Sequence, residues 1–252
     1  MKKWFFLRGL IRESGHWDGF LERAQAALPG VQVEALDLPG AGPRFRERSP
    51  ISIGEIAESV REDFLRRKGE DNRLFAISLG AMVGIQWMHD HPEDFTGAIL
   101  GNTSLSGLSP FHQRLLPKNY GKILRLLRAG PAEKERIILE MTSHRVSEFD
   151  RIQADWVKIR EERPVSTANS LRQLLAAARF YPPEERPKPP VLLLNGAKDD
   201  FVSPYCSEAV AKHWNLPLHT HPEAGHDISL DAPEWVLEEI KEFDSYSRRP
   251  QG

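Results

Sequence analysis

Short, largely apolar runs alternate along this chain with longer segments whose apolar residues recur at helical spacing. Strands and helices that take turns in this way imply a parallel sheet covered on both faces. The apolar runs fall at residues 4–7, 31–36, 74–77, 98–100 and 191–194, with a weaker one at 218–221. Helical spacing marks 17–27, 53–68, 79–91, 204–214 and 233–243. The clearest of these helices places Ile53, Ile56, Ala57, Val60 and Phe64 on one face, and Ser52 with Glu55 has capping-box spacing at its start. The expected architecture is a doubly wound α/β domain with a mainly parallel, six-stranded sheet.

One stretch breaks the alternation. Residues 108–186 contain no convincing strand, only helical patterns at 115–127, 133–141, 152–159 and 171–178. They are expected to form a helical cap inserted into a core built from 1–107 and 187–252. The proline-rich run through Pro182, Pro183, Pro187, Pro189 and Pro190 is the return linker. This insertion carries 15 Lys/Arg against 10 Asp/Glu, whereas the rest of the chain carries 19 against 26. Such a basic surface is ordinarily solvation, though it also suits an acidic partner.

Composition excludes several classes. With 34 basic and 36 acidic residues in 252, the chain lacks the electrostatic footprint of a nucleic-acid binder. The lone Cys206 rules out an internal disulfide and cysteine-rich zinc sites, and fits a reducing compartment. The apolar run at 4–7 stops at Arg8, too short for a signal peptide, and no run approaches a membrane span. A cytoplasmic, soluble protein with no membrane partner is expected.

Chemistry concentrates where strands end. Ala76-Ile77-Ser78-Leu79-Gly80 sets Ser78 between an apolar strand and a helix rich in small residues. A nucleophile on such a turn needs a strained backbone and small neighbours two residues either side. The helix that follows directs its first amides at developing negative charge. A serine hydroxyl needs a base, and the base needs an orienting acid. Gly196-Ala197-Lys198-Asp199 puts a carboxylate beyond a later strand, and Ala224-Gly225-His226 puts an imidazole after the last one. All three lie at C-terminal strand ends, the rim where open parallel sheets bind ligands.

With these residues in hand, the chain resembles the α/β-hydrolase superfamily over essentially its whole length. Arg8-Gly9-Leu10 with Trp17 is similar to the superfamily's oxyanion loop and helix-starting aromatic. Asp37-Leu38-Pro39-Gly40-Ala41-Gly42 resembles its Asp-x-Pro-Gly-x-Gly turn, and residues 76–80 its nucleophile elbow. Gly196 through Asp199 to Val202-Ser203-Pro204 resembles its acid loop, and Gly225-His226 with Pro233-Glu234 its closing segment. The resemblance implies a cofactor-free serine hydrolase cleaving a carboxylic ester or thioester of a small to medium acyl group. Ser78 would be the nucleophile, His226 the base and Asp199 the orienting acid, with the backbone amides of Leu10 and Leu79 as oxyanion hole. It also implies alternatives: a ligand-binding receptor on the same scaffold, a C–C bond hydrolase or a lactonase. A distant likeness to pimeloyl-carrier methyl esterases adds an acidic acyl-carrier protein at the basic cap. Two departures stand out. The elbow begins with Ala76, and Arg8 occupies the usual histidine position, where it either makes a structural hydrogen bond, the preferred reading, or brings a cation to the pocket.

Other residues compete for roles. Asp200 adjoins Asp199 but has the poorer spacing. Ser104 and Ser106 lack the elbow and read as turn-formers. His219 and His221 share a strand face without a third metal ligand, and no metal is expected. His89 and His91 read as favourable charges at a helix C-terminus, and Cys206 as a small buried residue. Trp17 either packs at its helix start or borders the pocket. Phe111, Leu116, Tyr120, Trp156, Leu174 and Phe180 of the cap either line an acyl pocket or, more in keeping with their spacing, form core.

Overall fold

The computed structural model describes residues 1–126 and 128–246. Six strands, β1 (Lys2–Leu7), β2 (Val31–Leu36), β3 (Asp71–Ile77), β4 (Gly97–Gly101), β5 (Val191–Gly196) and β6 (Leu218–His221), form one sheet. Their order is β2-β1-β3-β4-β5-β6, and every neighbouring pair is parallel. The chain winds outward from β1 to β2, then crosses back to β3. The crevice between the C-terminal ends of β1 and β3 is therefore the topological switch point.

The uninterrupted apolar runs of β1, β3, β4 and β5 follow from burial on both faces, whereas the edge strands β2 and β6 are only partly buried. Along β1, Phe5 and Leu7 join one core cluster while Trp4 and Phe6 join the other. The first cluster packs the sheet against α2 (Ile53–Arg67), α3 (Leu79–Asp90) and α9 (Tyr205–Trp214); the second packs it against α1 (Phe20–Ala27) and α11 (Pro233–Tyr246). α3 carries no polar stripe because it has no wet face: between Leu79 and Met88 every residue but Gln86 is buried.

Between β4 and β5 the regular elements among the described residues are all helical: α4 (Phe111–Arg114), α5 (Tyr120–Leu126), α6 (Pro131–Thr142), α7 (Phe149–Glu162) and α8 (Thr167–Arg179), with short 3-10 turns. α6 and α7 enclose a small core of Leu139, Phe149, Ile152 and Trp156, which is closed by Leu230 of α10 (Ile228–Asp231). Residues 180–190 return to β5 without regular structure.

Three local expectations need correction. The helix expected over 17–27 is split: Ser14–Trp17 forms a 3-10 turn, then Asp18 and Gly19 turn left-handed at φ 49° and 76° before α1. Trp17 thus starts no helix; it packs against Phe6, Phe20 and Phe75 in the core. The helix expected over 115–127 begins only at Tyr120, because Pro117 forces Leu116 into an extended conformation. Leu127 lies outside the described residues. Ser52 does occupy the N-cap of α2, but its side chain makes no capping hydrogen bond.

Candidate active site

β3 runs into α3 through a single residue, Ser78, at φ 57° and ψ −118°. An L-residue holds such a conformation only under constraint. Here its N–H donates to the Gly101 carbonyl (2.8 Å), and its own carbonyl accepts from the Ala81 and Met82 amides. Close approach explains the small neighbours. A Cβ at Gly80 would lie 2.6 Å from the Arg8 carbonyl oxygen, and one at Gly9 would lie 3.0 Å from Ser78 Cβ.

His226 Nε2 lies 3.0 Å from Ser78 Oγ, and its Nδ1 lies 2.7 Å from Asp199 Oδ2. Asp199 Oδ1 accepts from the amides of Phe201 (2.9 Å) and Val202 (2.8 Å), so one oxygen is fixed by backbone and the other faces the imidazole. A carboxylate only accepts, which puts the ring proton on Nδ1 and turns the Nε2 lone pair toward the hydroxyl. The Phe201 ring lies edge-on to the imidazole at 5.0 Å. Asp200 faces away, half exposed and paired with Lys118.

Three further side chains brace this arrangement. Asn102, left-handed after β4, donates to the carbonyls of Gly225 (2.9 Å) and His226 (2.5 Å) and accepts from the Gly196 amide (3.0 Å). Arg8 makes a forked pair with Asp227, the neighbour of His226, at 3.0 and 2.5 Å, and lies over the Trp17 ring. Burial would raise the Asp227 carboxyl, but the Arg8 charge outweighs it and holds the group below its ordinary value. Arg8 therefore makes the structural contact, while also reaching the cavity wall. Gln173 of α8 accepts from the Ile11 amide (3.0 Å), tying the inserted helices to the loop after β1. Neither Leu10 nor Leu79 donates its amide to a hydrogen bond among the described residues. The Leu79 N–H is one of the unpaired donors that every helix start leaves.

Ser78 and His226 open onto a cavity of about 260 Å³ bounded by the loop after β1 and the inserted helices. Its wall is mainly apolar, with Leu10, Ile77, Leu115, Ile123, Leu126, Ile138, Met141, Val165, Leu171, Leu174 and Phe201. Arg8, Arg12, Lys134, Arg160 and Asp227 supply charge. Of the aromatic and aliphatic residues considered for an acyl pocket, only Leu174 lines this cavity. Trp156 and Phe180 are core, while Phe111 and Tyr120 lie exposed against each other.

The remaining candidates have other partners. Ser106 Oγ donates to the Ala178 carbonyl, and Ser104 is buried outside the cavity wall. His219 faces Glu239, while His221 Nδ1 accepts from the Ala224 amide. No group of three or more metal-ligating side chains occurs among the described residues. His91 pairs with Glu58, and His89 is exposed in the last turn of α3. Burial pushes the Cys206 thiol up. Much of the basic surface of the inserted helices is already neutralised, as in Arg125–Glu133, Arg136–Asp150 and Arg151–Asp18. Among the described residues no helix is long and apolar enough to cross a membrane.

A family model described as "Alpha/beta hydrolase family" matches residues 5–239. No curated protein matches the chain. Among solved structures, BpoC of Mycobacterium tuberculosis H37Rv is similar at a TM-score of 0.77 and 20% identity, over 99% of this chain and 94% of that one. A thermophilic esterase from Thermogutta terrifontis, solved with malate bound, is similar at 0.73 and 19%, over 99% and 91%. The RedJ thioesterase of the prodiginine pathway in Streptomyces coelicolor is similar at 0.65 and 17%, over 95% and 85%. These likenesses concern fold.

Proposed function

Since the chain belongs to the alpha/beta hydrolase family, we propose that it is a serine hydrolase acting on a carboxylic ester or thioester of a small to medium acyl group. The observation that carries this reading is the hydrogen-bonded line Ser78–His226–Asp199 on the wall of the 260 Å³ cavity. In the proposed mechanism Ser78 Oγ attacks the acyl carbon as His226 Nε2 takes its proton. His226 then returns that proton to the leaving alkoxide or thiolate, and Asp199 stabilises the imidazolium between the two events. Water, deprotonated by the same nitrogen, releases the acid and regenerates the serine. The amides of Leu10 and Leu79 hold the oxyanion, an effect of about 3 kcal/mol per donor in enzymes of this type. Every step uses only these groups and water.

In this reading residues 108–186 act as a lid over a core of 1–107 and 187–252. The small cavity volume and apolar wall favour a compact acyl group over a long chain. Paired surface cations weaken the case for an acidic carrier protein as partner.

A fluorophosphonate probe tests the proposal directly. Stoichiometric adduct at the peptide containing Ser78, lost in Ser78→Ala, is the expected result. A folded wild-type protein that takes up no probe, and binds ligands without turning them over, would overturn it in favour of a receptor-like role.

A further inference from the structure

We propose that the substrate carries a free carboxylate, bound in the same cavity by Arg12 with Arg160 and Lys134; this rests on the hydrolase reading for the ester but not for the anion. Arg12 is only 6% exposed and lines the cavity from the loop after β1. Its Nη1 donates to Glu135 Oε2 at 2.7 Å, its guanidinium stacks over Trp156 at 4.3 Å, and its Nη2 has no hydrogen-bond partner. An unpaired N–H on a buried cation is costly, and the same wall carries a second one at Arg8 Nε.

The charge balance points the same way. Glu135 is fully buried, yet it serves two guanidinium groups, since its other oxygen accepts from Arg160 Nε. Arg160 also lines the cavity. Lys134, next along α6, reaches the wall with no carboxylate within ion-pair distance among the described residues. Arg8 and Asp227 cancel each other. His16, whose ring meets Trp156 behind Arg12, adds no charge: burial, reinforced by the nearby arginines, holds its imidazole well below its ordinary value. A mainly apolar pocket therefore has, among the described residues, four cations on its wall, Arg8, Arg12, Lys134 and Arg160, against two carboxylates, Asp227 on the wall and Glu135 paired to Arg12 and Arg160. Buried cations are ordinarily paired, and a planar guanidinium edge suits a carboxylate. A dicarboxylic acid esterified at one end would place its ester at Ser78 and its free end among these groups.

The experiment compares kcat/KM for the monomethyl and dimethyl esters of glutaric and adipic acid. Hydrolysis consumes one water and yields acid and methanol in either case. Wild type is expected to favour the monoester by about tenfold or more, the effect of one hydrogen bond to a charged group. That ratio should fall about fivefold or more in Lys134→Gln, and further in Arg12→Gln if this variant folds. A wild-type enzyme that cleaves the diester as fast as the monoester overturns the proposal while leaving the hydrolase reading intact. If neither ester is cleaved, thermal denaturation with free glutarate or adipate decides. Stabilisation lost in Lys134→Gln upholds the carboxylate pocket, and the fluorophosphonate adduct at Ser78 then decides the hydrolase separately; absence of stabilisation rejects the pocket.

Discussion

Ser78 keeps a backbone conformation that a glycine would adopt freely, at φ 57° and ψ −118°. Non-glycine residues in such regions cost about 1–3 kcal/mol each, which the hydrogen bonds to Gly101, Ala81 and Met82 offset. Ser78→Gly should therefore be more stable than Ser78→Ala by about 1 kcal/mol or more, although both lose the hydroxyl and the proposed activity. Urea denaturation of the two variants checks this, and an alanine variant at least as stable as the glycine one would show that the turn is not strained. The residues that meet at this site were legible in the sequence because each stands at a strand end beside a local pattern. Ser78 has small neighbours, Asp199 follows a glycine turn and His226 follows Gly225. Gln173, Asn102 and the Arg12–Glu135–Arg160 group were not legible, because their roles depend on contacts across 25 to 162 residues that leave no local spacing. Only the arginine at the usual histidine position flagged Arg8, and nothing nearby named Asp227 as its partner.

At the scale of elements, the site is held by links between strand ends rather than by any one loop. Asn102 joins the ends of β4 and β5 to the histidine loop, and the Arg8–Asp227 fork joins the end of β1 to the segment entering α10. Removing one member of a buried ion pair leaves the other charge uncompensated, at about 3–5 kcal/mol. Arg8→Met should cost stability on that scale, whereas Arg8→Met combined with Asp227→Leu should recover most of it. A double variant no more stable than the single one would mean that the fork is not what Asp227 requires. Elements were most legible where burial left a clean pattern, as in β1, β3, β4 and β5, whose apolar runs are buried. They were least legible where one residue overrode a helical pattern. Asp18 and Gly19 turn the backbone left-handed inside the run at 17–27, and Pro117 interrupts the run at 115–127.

For the whole molecule, stability against pH reflects buried groups pulling in opposite directions. Asp37, in the turn after β2, accepts from the Ser14 amide (2.7 Å) and lies against Gly42. Burial nevertheless raises its carboxyl to about 6, from 3.8, because those hydrogen bonds recover only part of the lost solvation. Between these two values the folded protein binds the proton more tightly than the unfolded chain, so this group lowers stability as pH rises through the window. His16 works the other way. Its imidazole is held well below 6.5 when folded, so the unfolded chain binds the extra proton in acid, and stability increases with pH up to about that value. The wild-type profile superimposes the two effects, and a flat curve would hide both. Their separation needs Asp37→Asn, which keeps an oxygen for the Ser14 amide and cannot ionise. The stability of this variant relative to wild type should increase from pH 4 to pH 7 by up to about 3 kcal/mol, the equivalent of the shift in Asp37. Denaturant unfolding of both proteins across that range measures the difference directly. A difference that stays constant or shrinks with rising pH would show that Asp37 gives up its proton in the folded state as readily as in the unfolded one.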